Sequence, residues 1–360
     1  MTNNRTTEGF RPEIGSKQIE LLEKLCNACA VSGNENEVRQ IVLEEVKTCA
    51  DEVKVDALGN VLVTRRGNAE NRLRVMLAAH MDEVGFMLVA DDEGGLFRFA
   101  TVGGIDPRCL PGKPVLVGRE HIPGVIGAKP IHLLTPDERE RSISVDVLRI
   151  DLGPEGSGKA KPGDWAVFAT RFIRLGPSLR AKALDNRQGV TTLIELVQHA
   201  PQNIDLLAAF TVQEEIGLRG ASVAGYAFDP DLAIVVDTTP AYDLPVWDGS
   251  ENTAYNTHLG AGPAVYLADR GTLYDQRLVN HMVQTAAAEG IPYQLRQPGG
   301  GGTDAGAIHK ERSGIPSLSV SAPGRYIHTP AAIVRLEDWQ NLLHLLYASL
   351  LRFTPGFLTS

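Results

Sequence analysis

The sequence predicts an α/β protein: a mixed sheet flanked by helices, with a small all-β domain inserted into it. Three observations carry this. Both ends of the chain alternate helical periods with short apolar runs, whereas the middle holds strand-like pieces and hardly a helical period. The 360 residues also exceed the ~250 to 300 at which single cores stop growing, so two domains are expected. With 43% hydrophobic and 22% charged residues the chain has the balance of an ordinary folded protein.

In order along the chain, QIELLEKLCNACAV (18–31) and NEVRQIVLEEVKTCA (36–50) carry apolar residues at helical spacing. EVKVD, NVLVTRR and RLRVMLAAH, ending at His80, read as strands. Leu22, Leu25, Cys26 and Cys29 fall on one helical stripe, so the lone C-x-x-C reads as buried helix cysteines rather than a redox or zinc motif. Between about 86 and 176, FRFATV, KPVLVG, GVIGAKP, VDVLRIDLG and DWAVFATRFI are separated by Gly and Pro. We read this as an inserted barrel or PDZ-like domain dividing the α/β part into 1–85 and 177–360. DERERS, at 137–142, reads as its solvated turn. Beyond the insert, GVTTLIELVQHA, DQRLVNHMVQTAAAEG and LEDWQNLLHLLYASLL read as helices, and LLAAFTVQ and LAIVVD as buried strands.

Lys plus Arg total 35 against 44 for Asp plus Glu, a formal charge of −9 that disfavours a nucleic-acid partner. The N-terminus lacks the apolar core of a secretory signal, and no stretch reaches the ~18 apolar residues of a membrane span. The expected location is the cytoplasm, with no membrane partner.

What sits where the apolar strands end directs attention to function. RLRVMLAA ends in His80 and Asp82, LLAAFTVQ in Glu214 and Glu215, LAIVV in Asp237, and SLSVSAPGRY is followed by His328. Asp185, in KALDNRQG, precedes a helix and can join them from a loop. Ligands of open α/β sheets bind beyond the carboxyl ends of the strands, so residues far apart in sequence can converge there. Histidines with carboxylates are ligands for zinc, cobalt or manganese; magnesium favours oxygen and water, and structural zinc favours cysteine. Two ions ~3.5 to 4 Å apart need a carboxylate bridge and a histidine each, and the inventory fits. Other features have plainer readings. GGGG at 299–302 lacks the lysine of a phosphate loop; His199, His281 and His344 read as surface or packing residues; Met81 and Phe86 read as core.

The ordered set AAHMDEVGF, KALDNRQG, TVQEEIGLRGA, VVDTTPA, GGGGTDAGAIH and RYIHTP resembles the di-metal aminopeptidases that include glutamyl aminopeptidases, deblocking aminopeptidases and tetrahedral (TET) peptidases. Some members carry the label endoglucanase. The likeness runs over essentially the whole chain, including LPGKPVLVG and GVIGAKPIH of the insert. It implies a zinc-peptidase-like core and a metal-dependent aminopeptidase that removes the N-terminal residue of short peptides by a di-metal-activated water. By the same resemblance, His80 and Asp237 end one metal's ligand set, Glu215 and His328 the other's, and Asp185 bridges them. Glu214 is the general base and Asp82 orients His80, while Glu83 has no role in the chemistry. Also implied are two divalent ions per subunit (zinc first, then cobalt or manganese), a cis Asp185–Asn186 peptide, and a dodecamer of six dimers assembled through the insert.

Rival readings are a related di-metal carboxypeptidase or deacylase, which recognises a substrate carboxylate instead of the amine, and a glycosidase using Glu214 with Asp237. The glycosidase leaves His80, His328 and Asp185 without work.

Overall fold

Four parallel strands form the centre of the molecule, in the order Asp205–Thr211, Arg74–His80, Leu232–Pro240, Ser317–Arg325. They are buried on both faces by helices, which is why they read as continuous apolar runs with no alternation. The computed structural model describes residues 11–359 apart from 142, 247 and 251–256. Antiparallel strands extend the sheet to 11: Val61–Arg65 and Glu52–Val55 on one side, Ala332–Arg335, Ser178–Ala181 and Ile173–Leu175 on the other. Ala264–Tyr266 and Gln294–Arg296 branch from Ser317–Arg325. The sheet is therefore mixed. Among its helices, Leu184–Gln198 is buried almost throughout and lies against the central strands, where Trp339 of Leu336–Leu351 reaches it by donating to Thr192 Oγ1.

The middle segment forms a closed antiparallel barrel of six strands, Gly85–Asp91, Leu96–Val102, Pro114–Val117, Ile122–Gly127, Arg149–Asp151 and Trp165–Phe168. Its own apolar core centres on Phe86, whose ring meets Phe99 and Phe168 edge-on at 5.3 and 5.1 Å. Closure removes the exposed edges that so short a set of strands would otherwise present.

Several local expectations need correction. The helix of QIELLEKLCNACAV spans Ser16–Asn27 only. Leu22, Leu25 and Cys26 are buried on it, but Cys29 lies beyond its end, packed with Val31 and Val167. Burial pushes both thiols up to about 12, which suits packing cysteines. DERERS begins inside a short helix, Pro136–Glu140, because Thr135 and Glu138 form a reciprocal capping box; Ser142 lies outside the described residues. Ile173–Leu175, read with the insert, pairs with Ser178–Ala181 in the large sheet, since the Gly176–Pro177 turn makes the two a tight hairpin. The extreme N-terminus, on which the signal-sequence expectation rests, begins outside the described residues. No described helix is long and apolar enough to cross a membrane.

Candidate metal centre

Register brings the strand-end residues together. Thr211 lies beside His80 in the parallel ladder, and Val235 lies beside Ala78, so two residues further along Asp237 meets His80. Past Thr211 the chain turns back through Gln213 and Leu218, both at positive φ, and places Glu214 and Glu215 over the strand ends. His328, three residues past Arg325, adopts positive φ as well, as do Tyr326 and Ala183. Among the described residues, five of the ten non-glycine residues with positive φ thus flank this one spot, the clustering expected where geometry at a site overrides local preference. The peptide between Asp185 and Asn186 is cis, and Asn186 is held by donating to Val236 O at 2.8 Å.

Asp185 occupies the centre. Its Oδ1 is 3.3 Å from His80 Nε2 and its Oδ2 is 3.4 Å from His328 Nε2. Asp237 Oδ1 lies 3.5 Å from the same nitrogen of His80, and Glu215 Oε2 lies 3.3 Å from that of His328. Two donor sets, His80–Asp185–Asp237 and Asp185–Glu215–His328, share one carboxylate, and a third, His80–Glu214–Glu215, overlaps both. Each imidazole keeps its other nitrogen for orientation. His80 Nδ1 faces Asp82, and His328 Nδ1 is 2.9 Å from the carbonyl of Gly104. A ring fixed through one nitrogen presents the other as a ligand, the usual arrangement around a metal-bound histidine.

The electrostatics are those of a site built for cations. Burial pushes Glu215 up to about 8 against the pull of His328. Glu214 is raised well above the carboxylate range, by burial first and then by Asp237, Glu215 and Asp304. For Asp185, burial is outweighed by hydrogen bonds to His328 and His80, which hold its carboxyl down. Burial would also lower His328, but Asp185 and Glu215 lift it to about 9. Carboxylates so crowded cannot all ionise unless positive charge compensates them. Oxygen and imidazole donors without thiolate suit a catalytic divalent ion rather than a structural zinc, so the residues fit the metals.

Sequence reasoning missed the layer behind the ligands. Glu83, set aside as a polar strand-end residue, is buried and accepts from Lys182 Nζ at 2.8 Å, Arg187 Nη2 at 3.0 Å and the Ala30 amide at 3.1 Å. Arg187 also donates to the carbonyls of Met81 and Asp82. KALDNRQG contains both basic partners, so the signal was Lys and Arg either side of Asp185 in an otherwise buried segment. Asp304, in GGGGTDAGAIH, is buried beyond the centre, accepts from Thr211 Oγ1, and is pushed up to about 7, chiefly by burial. Gly104 comes from the inserted segment, which therefore contributes to the site although it carries no catalytic motif. His199, His281 and His344 lie apart, and His281 stacks on Phe353 and faces Ser349 O at 2.9 Å.

A mixed α/β sheet with two histidines and a bridging carboxylate at its strand ends defines a metallopeptidase-type centre. The M42 glutamyl aminopeptidase family matches over residues 59–345. A lysyl aminopeptidase of Pyrococcus furiosus is 32% identical over 348 residues, 93% of this chain and 97% of that protein. The TET aminopeptidase of a marine sediment Thaumarchaeota archaeon superposes with a TM-score of 0.89 at 34% identity, covering 96% of this chain and 99% of the other. Pyrococcus horikoshii TET1 peptidase, which assembles into a tetrahedron or a large octahedral shell, has a TM-score of 0.82 at 32% identity, covering 93% and 100%. The chain belongs to the M42 family and is a metal-dependent aminopeptidase.

Proposed function

We propose that the enzyme removes the first residue from short peptides with a free N-terminus, using two divalent ions. The observation that carries this reading is the bidentate placement of Asp185, one oxygen toward each histidine. His80 and Asp237 would hold one ion, Glu215 and His328 the other, with Asp185 shared; zinc fits the donors first, cobalt or manganese next. When bound, the ions supply a Lewis acid for the scissile carbonyl and lower the pKa of water.

The remaining work belongs to side chains. Glu214 lies in a cluster with His80 and Glu215, their ligand atoms within 4.8 Å of one another, but among the described residues it forms no ion pair with either histidine, and we assign its carboxylate the proton of the attacking water. It returns that proton to the amine nitrogen as the carbon–nitrogen bond breaks. Asp82 accepts from the amides of Glu214 and Glu215 and faces His80, so it positions base and ligands together.

Assembly through the inserted barrel into a dodecamer of six dimers completes the reading. Supporting it are the TET relatives, one solved as a dodecamer, and three exposed apolar side chains on the barrel excursion, Ile131, Leu133 and Val147, at 70, 59 and 69% exposure. A panel of short peptides with free and N-acetylated termini, offered to metal-free and metal-restored enzyme, tests the activity. Release of free N-terminal residues only after metal is restored, and none from acetylated peptides, is the expected result. Equal cleavage of acetylated peptides would contradict it.

A further inference from the structure

Away from the metal centre, a second cluster of metal-ligating side chains lies where the barrel meets the α/β part. Cys29 follows the helix Ser16–Asn27, and Glu37 stands in the first turn of the helix Asn36–Val46. His121 comes from the barrel, in the turn between Pro114–Val117 and Ile122–Gly127. One sulfur, one carboxylate oxygen and one ring nitrogen from these three residues all lie within 4.8 Å of one another.

Glu37 holds the cluster together. Its Oε2 accepts the Cys29 amide at 2.9 Å, while its Oε1 is 2.6 Å from His121 Nε2, so the carboxylate is fixed between the other two residues. Cys29 is fully buried beside Val31 and the barrel's Val167, and among the described residues its Sγ has no hydrogen-bond partner. The His121 ring meets Trp165 edge-on at 6.3 Å. The side chains of His121 and Glu37 are 38 and 35% exposed, which leaves an approach from solvent. A tetrahedral ion ~2.0 to 2.3 Å from such ligands separates them by roughly 3.3 to 3.6 Å. The Glu37–His121 contact is shorter than that, so an ion replacing the proton between carboxylate and imidazole need spread the pair by only about 1 Å.

We propose that Cys29, Glu37 and His121 bind a zinc ion, separate from the di-metal centre, that clasps the barrel to the α/β part. Thiolate with imidazole and carboxylate favours zinc over magnesium or calcium and leaves a fourth position for water. Burial pushes the Cys29 thiol up to about 12, so the ion must displace its proton to solvent as a sulfur lone pair forms the bond to metal. An ion at this junction steadies the domain whose Gly104 carbonyl faces His328 Nδ1 at 2.9 Å. The spacing of the C-x-x-C gives no sign of the site, because Cys26 is not among its ligands and the other two come from distant segments.

The test titrates metal-free protein with Co²⁺ as a stand-in for zinc and follows the ultraviolet charge-transfer band of a cobalt–thiolate bond. The donor sets of the di-metal centre contain no sulfur, so cobalt bound there cannot give that band. The wild-type protein should develop the band and lose it when excess zinc is added. Cys29→Ser should abolish it. His121→Asn and Glu37→Gln should each weaken cobalt binding at this site at least about tenfold, the effect of losing even the partner of a ligand. Both positions are partly exposed, and asparagine tolerates the positive φ of His121, so these two variants decide the matter should Cys29→Ser fail to fold. No band in the wild-type protein, a band kept in Cys29→Ser, or undiminished cobalt affinity in either of the other variants overturns the proposal. Turnover plays no part in the readout, so the result is independent of the aminopeptidase reading.

Discussion

The carboxylate of Asp82 receives the backbone amide of Glu214 at 3.0 Å, so the residue that orients His80 also sets the position of the proposed base. Its other oxygen takes Ser32 Oγ at 2.6 Å and the Glu215 amide at 3.2 Å. Burial alone would raise its pKa, but His80 and these donors outweigh burial and keep it below the usual range. Asp82 is thus an anion whose two carboxylate oxygens accept three hydrogen bonds and face His80 Nδ1 at 3.5 Å.

Replacing Asp82 with Ala should lower metal affinity or activity by ~10- to 100-fold, the usual effect of losing the partner of a ligating histidine. Metal titration alongside kcat distinguishes the two. An unchanged kcat and unchanged metal affinity would remove Asp82 from the site's working parts.

The cluster of Glu83, Lys182 and Arg187 predicts a stability effect separable from chemistry. Glu83→Gln leaves two buried cations short of their counter-ion and should destabilise metal-free protein by about 3 to 5 kcal/mol. Denaturant unfolding of wild-type and variant, both stripped of metal, measures it. A difference under about 1 kcal/mol would show that the cluster is dispensable to the fold.

Gly104 predicts that the barrel governs the second donor set. A Cβ there would sit 3.4 Å from His328 Nδ1, and at neighbouring Gly103, with φ +82°, it would meet Val84 Cγ1 at 2.8 Å. Gly104→Val should therefore displace His328 and weaken one metal position while sparing the His80 set. Metal content per chain, measured at limiting metal, should fall toward one ion, and retention of both would contradict the prediction.

The exposed apolar residues of the barrel predict an assembly effect. Ile131→Asp with Leu133→Asp should leave the sheet untouched, since both side chains lie on the excursion of the barrel, and should reduce the sedimentation coefficient if they face another copy. Identical sedimentation of variant and wild type would take the interface elsewhere.

Much of this centre was legible in sequence because buried parallel strands read as unbroken apolar runs, and polar residues at their ends stand out. His80, Asp237 and the Glu214–Glu215 pair follow from that contrast. What was not legible depends on pairings between distant segments. Glu83 looked idle because its partners, Lys182 and Arg187, lie about a hundred positions away and meet it only once the sheet has formed. Gly104 carries no side chain to announce a role. Local periodicity also overran: the helical stripe that seemed to include Cys29 ends at Asn27, and Ile173 leaves the barrel because a tight turn commits it to Ser178–Ala181.

Anomalous scattering from crystals of the zinc-loaded enzyme tests the shared role of Asp185 most directly. The account predicts two peaks flanking its carboxylate, one beside His80 and Asp237 and the other beside Glu215 and His328. A single peak, or peaks held without Asp185, would contradict it.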